Sequence, residues 1–216
     1  MTSSTTRCAF ALLIIGLAPL SMRANAIFNG SFETNGGAGC ANTSYVDMSV
    51  GNTCISNWSV VSGTVDYVNA GLWDAEDGSY SIDLSGVNNG AIAQSFTSVV
   101  GQQYTVTYWL AGNYAALPTI KTMEVSAAGQ SQDDTFDTTG KSARDMGYVQ
   151  ESFVFIANST TTTLEFASID VPNSDGGPVL DNVTVLATPE PGTLALLGLG
   201  LSGAGFGSII RRRRSH

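Results

Sequence analysis

Apolar and polar positions alternate in short bursts along most of the chain. Tyr80-Ser81-Ile82-Asp83-Leu84 alternates by twos, and residues 104–110 are β-branched or aromatic almost throughout. Successive side chains of a strand face opposite sides, so this period is that of half-buried strands. Segments of the same kind recur at 55–61, 64–68, 91–96, 121–127, 150–157, 161–167 and 179–186. Ser62-Gly63, between the first two, reads as a hairpin turn. The stretch 131–137, with Asp133, Asp134 and Asp137, reads as a loop, either a solvated face or a loose cation site. Nothing between the two ends sustains a 3.6-residue period, and Gly and Asn punctuate every join. Many short strands with turn-rich joints predict an all-β sandwich or jelly roll.

The two ends break this pattern. Residues 194–210 carry no charge, and seventeen residues at 1.5 Å rise reach about 25 Å, the low end of what crosses a bilayer core. Four arginines at 211–214 would hold that end in the cytoplasm. A single C-terminal transmembrane segment is therefore expected at 194–210, with the preceding domain outside. At the other end Arg7 precedes an apolar run at 8–20, and Ala24-Asn25-Ala26 offers small residues for signal peptidase. The expected parts are a signal peptide at 1–26, one domain at 27–187 and a sorting tail at 188–214.

Pro189-Glu190-Pro191, the glycine-rich apolar run and the terminal arginines together resemble the PEP-CTERM sorting signal of Gram-negative bacteria. The resemblance implies recognition by an exosortase, a membrane protease that cuts near the motif. The protein is then released or re-anchored, in bacteria that make exopolysaccharide. Prolines at 189 and 191 stop a membrane helix from growing outward, leaving a segment a protease can bind.

Charge and composition narrow the function of the domain. Of eighteen acidic residues only Glu190 lies outside 27–187, and of nine basic residues only Lys121, Lys141 and Arg144 lie inside, a net charge close to −14. Phosphate binding needs a basic patch, so this surface argues against nucleic acid or anionic lipid as a partner. Neutral or cation-bridged glycans suit such a surface. The single histidine, His216, ends the tail, so no histidine-based triad, zinc site or general base is available to the domain. Cys40 and Cys54 form an even pair in an exported domain, which reads as a disulfide ahead of free thiols or a metal pair.

A second resemblance rests on "IFNGSFE" at 27–33, "ISNWSVVSGTVDYV" at 55–68, "DGSYSIDLSG" at 77–86, "GAIAQSF" at 90–96, "YTVTYWLAGN" at 104–113 and "GPVLDNVTV" at 177–185. Together they look like the choice-of-anchor C family, bacterial exported domains similar to a plant cell-wall protein family. The resemblance implies a galactose-binding-like jelly roll and, by analogy only, glycan binding. In jelly rolls of this type an acid from the first and one from the last strand commonly hold a structural calcium. Glu33 and Asp181 are the matching pair, with Asn29 and Asn182 as further oxygen donors; the alternative is a pair of hydrogen-bonded strand-end acids.

The loop at 72–78 joins one indole to three carboxylates. Trp73 is a candidate stacking platform for a sugar ring, with Asp74 and Asp77 as hydroxyl acceptors. It reads equally as a lid over the core, and Asp77-Gly78 as a turn. Tyr114 is a second platform candidate, while Trp58 and Trp109 lie in strands and read as core. The expected function is a non-enzymatic matrix protein that binds or organises polysaccharide, with calcium supporting the fold. Two rivals are a structural surface protein that binds other proteins, and a glycosidase using Asp74 with Asp83 or Glu76.

Overall fold

The computed structural model describes residues 24–37, 39–40 and 44–188. The expected signal peptide up to residue 23, the sorting motif and the apolar run at 194–210 lie outside them. Eleven strands account for the regular structure: β1 Tyr45–Ser49, β2 Ser59–Ser62, β3 Thr64–Asn69, β4 Tyr80–Asp83, β5 Ala91–Thr97, β6 Gln103–Gly112, β7 Ile120–Ala127, β8 Gln130–Asp137, β9 Val149–Ile156, β10 Thr161–Ser168 and β11 Pro178–Ala187. They form two antiparallel sheets, ordered β1-β3-β4-β11-β6-β9 and β2-β5-β10-β7-β8. This is the all-β sandwich expected. Among the described residues no helix is long and apolar enough to cross a membrane.

The alternation within each strand builds the layer between the sheets. On β6, Tyr104, Val106, Tyr108 and Leu110 are buried, while Thr105, Thr107 and Trp109 turn to the outer face and stay half exposed. Trp109 is therefore on a sheet surface, whereas Trp58 is buried in the core. Rings link the two sheets: Phe32–Trp58, Trp58–Phe166 and Tyr108–Phe166 stand 5.6, 6.2 and 5.1 Å apart. Tilted pairs at this spacing add to burial through complementary ring edges and faces. The expected disulfide is present, Cys40 to Cys54 with Cα atoms 5.1 Å apart.

Three expectations need correcting. β2 and β3 are not a hairpin: β2 pairs with β5 in one sheet and β3 with β1 and β4 in the other. Gly63 carries the chain between the sheets at φ +54, where a Cβ would stand 2.0 Å from the Asn89 carbonyl oxygen. β8 is a strand and not an acidic loop. Its polar sequence suits an edge, where the outer side meets water, while Phe136 is buried and Asp134 accepts from the Tyr108 hydroxyl. The strand period thus sends Asp133 and Asp134 to opposite faces, and the three acids do not converge. β1, at 45–49, went unread because only Met48 of its five residues is buried.

The first residues tie down the last strand. Ala26 N donates to Val185 O, and Asn25 Oδ1 accepts from Val185 N at 2.8 Å. Among the described residues the hydrogen bonding of the domain thus reaches back two residues before Ile27. At the turn that follows, Gly30 packs so closely on β11 that a Cβ would lie 1.9 Å from the Val183 carbonyl oxygen.

Candidate functional site

The outer face of the six-stranded sheet is roofed. Core-facing Ile82 and Leu180 alternate with Asp83 and Asp181, which point outward yet are fully buried. The loops at 70–79 and 138–148 cover them and are clasped together. Asp74 N donates to Ala143 O, while Arg144 donates to Ala70 O and pairs with the Asp74 carboxylate at 2.6 Å.

Beneath this roof, carboxylates serve backbone amides. Asp181 Oδ2 accepts from Glu76 N and Asp77 N at 2.8 and 3.0 Å, and Oδ1 accepts from Asn182 N at 2.6 Å. At the rim, the exposed Glu33 accepts through Oε1 from Ser79 N and Tyr80 N at 2.7 and 2.8 Å. Asp83 accepts from Ser85 N, Gly177 N and Asn113 Nδ2. Burial pushes the Asp181 carboxyl up to about 7 and Asp83 to about 6, each against the pull of its hydrogen bonds. Register places Asp47, Asp66 and Asp83 side by side across β1, β3 and β4. Burial first, and then the bonded Asp47 carboxyl, raises Asp66 strongly.

Of the residues predicted as a sugar site, Trp73, Asp74 and Asp77 lie in the roof and serve as architecture. Trp73 is 4% exposed and its indole N–H donates to Ser81 Oγ at 3.0 Å, so it presents no face for stacking. It is the lid over a buried layer. Asp74 is exposed but engaged by Arg144, and Asp77 is exposed with its amide held by Asp181. Tyr114 packs half-buried against the core cluster. Asp83, being fully buried, is unavailable as the partner of Asp74 in a glycosidase pair, and Glu76 binds Asn182 Nδ2 at 2.8 Å.

Nor do Glu33 and Asp181 fit calcium as arranged. Calcium wants six to eight oxygens. Here the two carboxylates face N–H donors, Asn182 turns its amide nitrogen to Glu76, and the Asn29 oxygen accepts from Thr34 N. Among the described residues no group of three or more His, Cys, Asp and Glu is placed to hold a metal ion.

The outer face of the five-stranded sheet is bare. Register sets Ser59, Ala93, Glu165, Ser126 and Ser131 in one row across all five strands. A parallel row holds Ala91, Ala167, Glu124 and Asp133. Ser95 and Thr163 form a third, hydroxyl to hydroxyl at 2.8 Å. The alanines leave a shallow floor between hydroxyls and carboxylates. A cavity of about 460 Å³ lies along Glu124, Ser126, Ser131, Thr161, Thr163 and Glu165. Thr161 also lines a second cavity of about 430 Å³, walled by Ser95, Thr97 and Phe28.

Phe28 is the aromatic that sequence reasoning missed. Its ring is 70% exposed, beside Ile27 at 3%. Its backbone is fixed from both sides by the buried Gln94: Phe28 N donates to Oε1 at 2.7 Å and Phe28 O accepts from Nε2 at 2.9 Å. An exposed ring on a clamped backbone costs little ordering when something stacks on it. The available signal was the pair Ile27-Phe28, two apolar residues that cannot both face the core of an extended chain. Like charges at Glu124 and Asp133 stand directly opposite, which disfavours the bare sheet.

Comparison with known proteins places the chain. Residues 25–186 match the family described as "Protein of unknown function (DUF642)", and the chain belongs to that family. Residues 187–214 match the PEP-CTERM protein-sorting motif. Halomucin of Haloquadratum walsbyi is 31% identical over 188 residues, which cover 85% of this chain and 2% of halomucin. Among solved structures, TmCBM61 in complex with β-1,4-galactotriose is similar over 76% of this chain and 99% of its own, at 16% identity and a TM-score of 0.44. A family 16 carbohydrate-binding module is similar over 75% of this chain and 99% of its own, at 14% identity and a TM-score of 0.47.

Proposed function

We propose that this DUF642 domain, exported and anchored at its C-terminus by the PEP-CTERM signal, binds polysaccharide on the bare face of its five-stranded sheet. The observation that carries the reading is the clamped, exposed Phe28 at the mouth of a groove lined by hydroxyls and carboxylates. A sugar ring offers C–H faces to an aromatic and hydroxyls to such acceptors. The work is binding and not hydrolysis. The carboxylates lie side by side on one sheet surface, where a glycosidase needs two acids on opposing sides of a bond. Each contact is weak, so retention comes from repeated engagement along a polymer. Exosortase is the processing partner, and the exopolysaccharide of the producing cell is the ligand.

Affinity electrophoresis of the processed protein through gels containing that exopolysaccharide tests the reading. Retardation is expected, lost in Phe28→Ala and kept in Asp74→Ala. Unretarded wild-type protein that self-associates would instead favour a structural role through protein contacts.

A further inference from the structure

The two ends of the sandwich differ in charge and in what leaves them. The chain exits through Thr188, whose N–H donates to Gln103 O and whose carbonyl accepts from Gln102 Nε2. Three turns share this end. Ser98 N donates to Thr160 O, Gly101 N to Ala157 O, and Asn158 Nδ2 to Ala128 O. The segments 98–103, 127–130, 156–161 and 186–188 contain no Asp, Glu, Lys, Arg or His. The opposite end carries Asp170 and Asp175, with Asp83 beneath.

At the uncharged end apolar side chains point into solvent. Val99 is 65% exposed, Val100 59%, Ile156 51% and Leu186 40%. The two valines sit on a fixed turn: Val99 N donates to the Tyr104 hydroxyl at 3.1 Å, and Gln102 N donates back to Val99 O. They are held out, not loosely displayed.

Leu194, where the apolar run begins, lies only six positions beyond Thr188. Even fully extended they reach about 20 Å. In the anchored precursor this end is therefore kept beside the bilayer at high effective concentration, where a weak contact is populated. An acidic domain is repelled by anionic headgroups. Of its surfaces, the uncharged, valine-tipped one can approach them without that cost.

We propose that the exit end of the sandwich, tipped by Val99 and Val100, rests on the lipid surface while the precursor is anchored. The sheets then stand away from the bilayer, with the groove running down to the lipid-side turns at 127–130 and 158–161 and the acidic end farthest from the headgroups. This orientation rests on the C-terminal anchor and not on the glycan reading.

The test uses the full chain in vesicles of phosphatidylethanolamine and phosphatidylglycerol, with a nitroxide-bearing lipid as quencher. Cys8→Ser leaves a single labelling site, because Cys40 and Cys54 are bonded to each other. A polarity-sensitive dye is placed at Val100→Cys or, at the opposite end, at Val171→Cys, where the side chain is 86% exposed. The dye at 100 should be quenched at least about threefold more than the dye at 171. A dye at Ser159→Cys, on the neighbouring turn, should follow the dye at 100. Val99→Asp with Val100→Asp should drop the signal at 159 to the level at 171. Equal quenching at 100 and 171, or quenching at 159 unchanged by the two aspartates, would overturn the proposal. So would protection at 100 that appears only when a membrane protease is added to the vesicles.

Discussion

The outer face of the six-stranded sheet is roofed by its own loops, and the outer face of the five-stranded sheet is left to solvent. Both carry acids and hydroxyls. Under the roof, Asp83 and Asp181 are spent on backbone amides that would otherwise be buried without partners. On the bare face Glu124, Asp133 and Glu165 project from flat strands beside a shallow alanine floor. The same residue types thus hold a fold together in one place and stay open to solvent in the other. What separates the two roles is cover and not composition.

That contrast is broken most severely at Asp181. Asp181→Ala strips three part-buried N–H groups of their fully buried acceptor and should cost about 3–5 kcal/mol in chemical denaturation. Thr163→Ala on the bare face should stay within about 0.5 kcal/mol. Comparable losses at the two positions would erase the distinction.

Stability against pH gives the next largest effect, with a definite sign. Folding raises Asp181 from 3.8 to about 7 and Asp83 from 3.8 to about 6. Above pH 4 the unfolded chain has released these protons while the folded domain keeps them. The stabilisation is therefore complete below about pH 4 and is lost as pH rises through 6 and 7. Asp181 alone represents on the order of 4 kcal/mol. Thermal melts should fall from pH 5 to pH 8, and the slope should flatten in Asp83→Asn. A melting temperature rising across that interval would contradict the burial argument.

Reducing the disulfide between Cys40 and Cys54 comes third. It closes a loop of sequence separation 14 and should cost about 3 kcal/mol, read as a lower denaturation midpoint. Smallest in stability is Phe28→Ala, under about 1 kcal/mol because the ring is mostly exposed. That substitution should nevertheless abolish retardation in the polysaccharide gel.

Much of the fold was legible because strands write their burial as a period of two. The expected segments at 80–84, 104–110 and 179–186 became β4, β6 and β11 with little change. β8 was not legible: as an edge strand it needs only Phe136 buried, and its carboxylates imitate a loop. The pairing of β2 with β5 was hidden because a Ser-Gly turn looks the same whether it joins partners or changes sheets. The loop at 72–78 read as a sugar site and Glu33 with Asp181 as a separate calcium pair; that Asp77 N donates to Asp181 and Ser79 N to Glu33 was not legible, since side-chain type does not reveal whether a loop folds outward or down onto the sheet. Phe28 was missed for the converse reason. The clamp from Gln94 joins residues 66 apart, and no local pattern records it.

The most direct test of the bare-face reading is amide shift mapping of the isotopically labelled protein with oligosaccharides from the producer's exopolysaccharide. Perturbations are expected at 26–28, 95–97, 124–131 and 158–165, with 72–78 and 181–182 silent. Perturbations confined to 72–78 and its neighbours would contradict that reading, and would return the site to the roofed face.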